Sequence, residues 1–282
     1  MKTIIAGSDQ YLGLEFVTHL RGREVPVVSI PGNDGALDNV KLLINALQVH
    51  NAKFVVNLVA RELFQGDDPQ RHKRALQVTK NLAKACRNQG VCLIHLSDDS
   101  MFDGRQSGAY RERDKPDAKS KLASHILKAE RYVCRRAPKH IVLRTGPLIA
   151  PSGDNLFTLL MGRLEQHQRL EIPDEKVAPT PASDVARVAV AMMLQIDCGA
   201  SPWGIYNYCS SDPTGLYSFA EALVAVASQY GRVRREGVRL ELRESESEHN
   251  VILNCHKIFA TFGIKQRSWR IVLPAMMAEY CG

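Results

Sequence analysis

A glycine-containing loop directly follows the first apolar run of the chain, and its spacing is typical of a phosphate-binding turn. Gly7 and Gly13 occupy the first and third places of a G-x-x-G-x-x-G pattern after the β-rich run 2–6. A strand that turns tightly into a helix presents backbone N–H groups to the pyrophosphate of a dinucleotide. Gln10 occupies the middle place, where its side chain intrudes on the space of the phosphates. The loop is either a working cofactor loop or one whose glycines serve only the turn and the helix packing.

The second apolar run, residues 25–30, ends without the acidic residue that commonly binds the adenosine ribose of NAD. Asp34 is the nearest carboxylate, but it lies beyond a Pro-Gly turn. No arginine follows directly to hold the 2′-phosphate of NADP. The sequence therefore does not distinguish NAD from NADP.

Several other chemistries lack their motifs in this chain. The nine histidines include no H-x-x-x-H pair, and dispersed histidines and cysteines are usually structural, so no metal site is expected. The G-x-S-x-G motif of α/β-hydrolases and the G-x-x-x-x-G-K-[ST] motif of P-loop kinases are both absent from the sequence. These absences argue against both classes of enzyme.

The overall composition indicates a globular protein with one large α/β unit or two domains. The chain has 282 residues, of which 45% are apolar and 24% are charged. The net charge of +7 indicates a basic surface, and no nucleic acid is expected because no basic block carries interleaved aromatic residues. No apolar run reaches the roughly 18 residues that span a membrane. Seven cysteines without a C-x-x-C pair, and no signal-peptide pattern, favour a cytoplasmic protein with reduced thiols.

The elements that must position these residues alternate regularly through the first half of the chain. Strands are predicted over 2–6, 25–30, 54–58, 91–96 and 140–143, and helices over 12–21, 37–49, 69–88 and 119–136. This alternation predicts an α/β fold with a Rossmann-type, doubly wound parallel sheet. Right-handed crossovers would place helices on both faces of the sheet.

The regular alternation of strands and helices ends after Pro147, where glycine, proline and asparagine become frequent. Helices are predicted over 184–196, 218–230 and 269–279, with β-like pieces over 205–209 and 238–242 and a solvated loop and edge strand over 232–248. The pattern predicts two domains, a Rossmann-type domain over 1–148 and a smaller C-terminal α/β lobe over 149–282.

Motifs spread along the whole chain resemble those of the dTDP-4-dehydrorhamnose reductases, which are extended short-chain dehydrogenases. The matching segments are HLSDDSMFDG (95–104), YRE (110–112), SKL (120–122), LRT (143–145), GDNLF (153–157), PTPASDVA (179–186), GIYN (204–207), LNCHK (253–257), FGI (262–264) and Trp269. The resemblance implies an NAD(P)-binding domain and a lobe that binds a sugar nucleotide. It also implies that a helix over 183–197 packs on the first domain.

The resemblance also implies a catalytic tyrosine, lysine and threonine, and this chain departs from that set. Lys121 matches the lysine, but Asp117 occupies the tyrosine position and Asp98 the threonine position, with Ser97 beside it. An ionised carboxylate cannot donate a proton to a ketone oxygen at pH 7. The segment between Glu112 and Lys121 is also shorter than in the family. Because Pro116 favours a helix start, Asp117 is expected in the first helical turn.

Two further sets of residues follow from the resemblance. The first would hold NADP or NAD and consists of Gly7, Gln10, Tyr11, Leu12, Gly13, Asn57, Ala60 and Lys121. The second would line the substrate cleft and consists of Arg144, Thr145, Asn155 and Thr180. Arg144 could equally form an ion pair with a loop carboxylate, and Asn155 and Thr180 could equally be turn residues.

An acidic group near the implied active site, Asp98, Asp99 and Asp103, allows two interpretations. The carboxylates either cap their own loop or form a new acid/base or cation site. Loop capping is the favoured interpretation.

The favoured hypothesis for function is a catalytically impaired reductase relative, a pseudoenzyme. It would act by binding a nucleotide, a sugar nucleotide or a protein partner, including a second copy of itself. The alternative is an active NAD(P)H-dependent reductase of a 4-keto-6-deoxy nucleotide sugar that uses an unorthodox proton donor. A third possibility is a structural subunit of an oligomer.

Overall fold

The computed structural model describes residues 1–63, 68–167, 169–234, 237–244 and 249–282. A parallel sheet of six strands forms its centre, in the order β2-β1-β3-β4-β5-β10. The strands are β1 (Thr3–Ala6), β2 (Val27–Ile30), β3 (Phe54–Asn57), β4 (Cys92–Asp98), β5 (His140–Thr145) and β10 (Gly204–Tyr208). β1, β3, β4 and β5 are buried along their whole length, which explains why they are continuous apolar runs in the sequence.

Helices cover both faces of this sheet. They are α1 (Tyr11–Arg21), α2 (Val40–Val49), α3 (Val59–Leu63), α4 (Pro69–Gln89), α5 (Lys121–Arg136) and α7 (Ala182–Asp197). α1 packs against α7, whereas α4 packs against both α2 and α5. The strand order reverses beside β1, so the carboxyl ends of β1, β3, β4 and β5 meet at one edge of the sheet, where open α/β folds bind ligands.

Local signals explain where the central helices begin and end. The Asp68 carboxylate accepts a hydrogen bond from the Gln70 amide, and Pro69 follows as the first helical residue of α4. α4 ends at Gly90, whose left-handed backbone (φ 65°) suits glycine. α5 begins at Lys121 because the Ser120 hydroxyl accepts from the Ala123 amide at 3.0 Å. The predicted start at residue 119 is therefore two residues early.

The remaining elements form the smaller lobe and its links to the sheet. They are β6 (Leu148–Ile149), α6 (Leu156–Gln166), β7 (Arg169–Pro173), β8 (Glu175–Val177), β9 (Thr180–Pro181), β11 (Thr214–Gly215), α8 (Leu216–Gln229), β12 (Arg239–Arg243), β13 (His249–Asn250), α9 (His256–Phe262) and α10 (Leu273–Cys281). A separate hydrophobic core lies between α6, α8 and α10. Trp269 is fully buried there, with its ring edge-on to Phe219 at 5.0 Å.

The second half differs from the sequence expectation in β10 and α6, among other elements. The strand predicted over 205–209 is not in the smaller lobe; it is β10, which pairs with β5 at the edge of the central sheet. α6 was not predicted, although Asn155 caps it, accepting from the Phe157 and Thr158 amides while the Thr158 hydroxyl accepts from the Asn155 amide. This N-x-x-T pattern is the signal that could have identified the helix.

Within the described ranges, no helix combines the length and the apolar character needed to cross a membrane.

Candidate functional site

The two glycines of the loop after β1 are both required by its geometry. Gly7 has a positive φ of 89°, and a Cβ there would lie 3.0 Å from the Val59 backbone nitrogen. A Cβ on Gly13 would lie 2.3 Å from the Gly7 carbonyl oxygen, so α1 approaches the loop too closely for any other residue. The frame of a phosphate-binding turn, a strand followed by a tight turn and a helix N-terminus, is therefore intact.

The three residues that directly precede Gly13 have different environments. Gln10 is the residue before α1; its side chain is exposed and makes no capping hydrogen bond. The Tyr11 ring is buried against Gly153, where a Cβ would lie 2.4 Å from it. Leu12 is fully buried in the hydrophobic core. Of these three side chains, Gln10 is the one exposed at the start of α1, and Tyr11 links α1 to the Gly153 turn.

The loop after β1 also carries the carboxylate of Asp9. Asp9 accepts a hydrogen bond from the Gly32 amide at 2.6 Å, which ties the loop after β1 to the turn after β2. Its negative charge opposes the binding of another anion at this position.

Asn57 and Ala60, both expected to contact a cofactor, are fully buried. The Asn57 amide nitrogen lies 3.1 Å from both the Thr79 hydroxyl, to which it donates, and the His95 Nδ1. Burial lowers the pKa of His95 to about 4, so its ring is neutral at pH 7. Asn57 therefore joins β3 to α4 and β4, and Ala60 is part of the core.

The carboxyl end of β4 carries an ion pair that the sequence analysis did not anticipate. The Asp98 carboxylate accepts hydrogen bonds from the Arg61 guanidinium and the Ser100 hydroxyl, and from the Ser100 amide at 2.9 Å. Burial alone would lower the pKa of Arg61, but the charges of Asp98, Tyr11 and Asp99 and the hydrogen bond to Asp98 together outweigh it and raise that pKa. Arg61 lies in α3 outside any recognisable motif. The Ser97 hydroxyl is buried without a hydrogen-bond partner among the described residues.

Asp99 lies beside this pair and has a strongly perturbed carboxyl group. Burial, together with the negative charge of Asp98, raises the pKa of Asp99 to about 7, although Arg61 opposes both effects. At neutral pH the carboxyl group is therefore partly protonated. Such a group can donate a proton, which an ordinary aspartate cannot.

Asp117 and Lys121 lie outside this cluster and differ from the expectation. Asp117 is not in the first turn of α5; it lies in the irregular segment before the helix, because the Ser120 cap sets the helix start at Lys121. Its carboxylate accepts from the Asp103 amide at 2.8 Å. Both side chains are exposed, and Asp117 lies before α5, so one helical turn does not separate the two residues.

The four residues expected to line a substrate cleft all have structural partners. Arg144 forms a bidentate ion pair with Glu130 of α5, with Nη2 and Oε2 2.7 Å apart and both side chains at most 3% exposed. The Thr145 hydroxyl donates to the Ser97 carbonyl at 3.3 Å, and the Thr180 hydroxyl to the Ala178 carbonyl at 2.8 Å. Asn155 caps α6 but also borders a cavity.

This cavity, of about 590 Å³, lies between α1, α3 and the start of α6. Its polar lining consists of Tyr11, Arg61, Arg71, Asp154, Asn155 and Thr158. One of the two guanidinium groups, that of Arg61, is already paired with Asp98. The described part of the chain holds no cluster of three or more acidic, histidine or cysteine side chains suited to a metal.

These residues fit one part of a dinucleotide and not the other. The loop at Gly7 and Gly13 retains the backbone frame that receives a phosphate. The reacting end does not fit, because Asp98, at the position of the expected hydroxyl, is paired with Arg61.

Comparison with known proteins supports the resemblance found in the motifs. The chain matches the family described as "RmlD substrate binding domain" over residues 1–281. The dTDP-4-dehydrorhamnose reductase of Sinorhizobium fredii is 28% identical over 200 residues, which span 67% of this chain and 66% of that protein. The reductase of Streptomyces griseus is 25% identical over 99% of this chain and 94% of its own length.

Solved structures show the same fold. The dTDP-4-dehydrorhamnose reductase of Clostridium acetobutylicum superposes with a TM-score of 0.83 at 21% identity and covers 99% of both chains. The Bacillus anthracis reductase in complex with NADP gives a TM-score of 0.79 at 16% identity, covering 99% of this chain and 98% of its own. The predicted Rossmann-type, doubly wound sheet is confirmed.

Proposed function

This chain belongs to the RmlD substrate-binding-domain family, and from that premise we propose that it is a member without hydride-transfer chemistry that acts by binding a nucleotide or sugar nucleotide. The observation that carries this proposal is the Asp98–Arg61 ion pair at the carboxyl end of β4. A hydroxyl at that position would donate a hydrogen bond to a ketone oxygen, whereas a carboxylate held by a guanidinium only accepts.

The position of the family's proton donor is also changed in this chain. The residue four positions before Lys121 is Asp117, whose carboxylate is exposed and hydrogen-bonded to the Asp103 amide. A general acid must lie within about 2.6–3.2 Å of the oxygen that it protonates. An exposed side chain bound to its own loop does not meet this requirement.

The ligand class follows from the cavity between α1, α3 and α6. Arg71 lines the cavity, Arg61 is already paired with Asp98, and the N-terminus of α1 adds partial positive charge beside it. A phosphate-bearing ligand suits these charges. Gln10 and the Asp9 carboxylate crowd the same loop, which favours a nucleotide or sugar nucleotide over a dinucleotide.

Calorimetric titration with dTDP tests the binding function. We expect wild-type protein to bind, and Leu159→Trp, which adds bulk at the wall of the cavity, to weaken binding by about tenfold, equivalent to about 1.4 kcal/mol. Leu42→Trp on α2 is the matched control, because Leu42 is similarly exposed but outside the cavity. Equal affinity of wild type and both variants would contradict the proposed site.

NADH or NADPH oxidation with dTDP-4-keto-6-deoxy sugar tests the loss of chemistry. General acid catalysis contributes roughly 10²–10⁴ to a rate, so turnover is expected at least that far below that of an intact reductase. Turnover within tenfold of an intact homologue, abolished by Lys121→Ala, would refute the proposal.

A second candidate function, reduction with an unorthodox acid, is favoured by one observation. Asp99 is partly protonated at neutral pH because burial raises its pKa to about 7. In an active reductase of this kind, Asp99→Asn would abolish turnover and remove the limb of the pH–rate profile near pH 7. If the wild type is inactive in the oxidation assay, this candidate is excluded.

A further inference from the structure

A second cleft of about 790 Å³ lies along β10, the outer strand of the central sheet. Its walls are the turn at Arg111–Arg113 on one side and Asn254, His256 and Lys257 on the other, with Ile205 between them. None of these residues lines the cavity at α1, so the two spaces have separate walls. The volume lies within the range of clefts that bind small molecules.

The charges of this cleft are unbalanced. Arg111 and Arg113 are exposed, and neither guanidinium has an ion-pair partner among the described residues. The one acidic lining residue is Glu112, and its Oε1 already accepts from the Asn207 amide at 3.0 Å. The lining therefore carries three cationic side chains, from two arginines and a lysine, against one carboxylate that is already bound.

Lys257 adds a cation that the protein has partly removed from water. Its Nζ donates to the Ile205 carbonyl at 2.6 Å and lies 4.3 Å from the centre of the Tyr206 ring. Burial lowers the pKa of Lys257, the charge of Glu112 opposes this, and Arg144 adds to it. An anion in the cleft would replace the lost hydration of this ammonium group.

We propose that the cleft formed by Arg111, Arg113, Asn254, His256 and Lys257 binds the phosphate group of a small phosphorylated molecule. Two arginine forks on one short turn match the geometry of phosphate oxygens, and Asn254 and His256 supply further polar contacts from the facing wall. The concave shape and moderate volume favour a small molecule over a macromolecular surface. The site is independent of the function proposed for the cavity at α1.

Isothermal titration with pyrophosphate at low ionic strength tests this site. We expect wild-type protein to bind, and the double variant Arg111→Ser/Arg113→Ser to bind at least about tenfold more weakly, because it loses the charge-assisted hydrogen bonds of both guanidinium groups. Both side chains are exposed and unpaired in the described structure, so the variant should fold, which thermal unfolding checks. The matched control is Lys84→Ser/Arg87→Ser, which removes two exposed positive charges from α4.

Three outcomes would overturn the proposal. Absence of pyrophosphate binding to wild-type protein is the first. Equal weakening in the control double variant is the second, because it would indicate non-specific attraction by net charge. The third is loss of binding in Leu159→Trp with retention in Arg111→Ser/Arg113→Ser, which would assign pyrophosphate to the cavity at α1 instead. Loss of dTDP binding alone bears only on that first cavity.

Discussion

Single residues decide the chemistry at the carboxyl edge of this sheet. Asp98 accepts hydrogen bonds from Arg61 and Ser100, so a position expected to donate a hydrogen bond only accepts. The neighbouring Asp99 is left without a full counter-charge, because Arg61 is committed to Asp98. Asp98 is therefore paired with a guanidinium, whereas burial and the charge of Asp98 raise the pKa of the neighbouring Asp99 to about 7.

The raised pKa of Asp99 predicts a pH-dependent stability. The folded-state pKa is about 7 and the ordinary value is 3.8, so the folded protein binds the proton more tightly than the unfolded chain does. Stability should therefore fall as the pH rises from about 4 to 7, by at most about 1.4 kcal/mol per pH unit. Urea unfolding of the wild type and of Asp99→Asn at pH 5 and pH 8 measures this.

The test compares the difference in unfolding free energy between Asp99→Asn and the wild type at the two pH values. Asp99→Asn should be more stable relative to the wild type at pH 8 than at pH 5. A difference that does not change with pH would show that Asp99 is ionised normally in the folded protein.

Gln10 predicts a limit on dinucleotide affinity. Its side chain is exposed at the start of α1 and makes no capping hydrogen bond, so removing it costs the protein little. Gln10→Gly should tighten NADPH binding about three- to tenfold, equivalent to about 0.7–1.4 kcal/mol. Calorimetry compares it with wild type and with Gln10→Asn, which retains a side chain. Tight binding by wild type, unchanged by the glycine, would mean that Gln10 does not obstruct the phosphates.

At the scale of elements, buried side chains hold the sheet to its helices and close its edge. Arg144 at the end of β5 binds Glu130 of α5, and Glu112 accepts from the Asn207 amide on β10. Lys257 donates to the Ile205 carbonyl of the same strand. The motif residues Glu112 and Lys257 thus occupy polar backbone groups of an edge strand that would otherwise pair with another chain.

Because the Arg144–Glu130 pair is buried, we expect a single substitution in it to destabilise the protein much more than the double substitution does. Arg144→Met leaves the Glu130 carboxylate buried and unpaired and should destabilise the protein by about 3–5 kcal/mol. Arg144→Met/Glu130→Leu removes both charges and should recover most of that loss. Urea unfolding at pH 7 measures both variants. A single variant that loses less than about 1 kcal/mol would show that water reaches the carboxylate.

The segment before α5 predicts that one substitution will not restore a reductase. Asp117→Tyr places the phenol in an exposed, irregular segment, and the variant loses the hydrogen bond to the Asp103 amide. We expect no turnover and a loss of a few tenths to about 1 kcal/mol of stability. Single-turnover NADPH oxidation and thermal unfolding check this, with Asp117→Asn as the control that retains an acceptor oxygen. Clear turnover without loss of stability would mean that the segment can present a tyrosine correctly.

At the scale of the whole molecule, the chain leaves the central sheet after β5 and later returns to it. Residues 148–181 contribute to the smaller lobe, α7 then packs on α1, and β10 joins the sheet beside β5. The family resemblance predicts a helix over 183–197 on the first domain, and α7 occupies that place. The Tyr11 contact with Gly153 adds a link between α1 and the chain beyond β5. The cavity at α1 therefore has walls from both halves of the sequence.

The sequence by itself determined the fold and the departures from the family motifs. Apolar periodicity is local, so the alternation of β1 to β5 with their helices could be predicted, as could the glycine frame at Gly7 and Gly13. The absence of a tyrosine before Lys121 is likewise visible in the residues alone. Only the tertiary structure decided the partners of Asp98 and Arg144, because Arg61 lies 37 positions from Asp98, and Glu130 lies 14 positions from Arg144 on another element. The same holds for β10, whose place beside β5 depends on long-range pairing that no local pattern encodes.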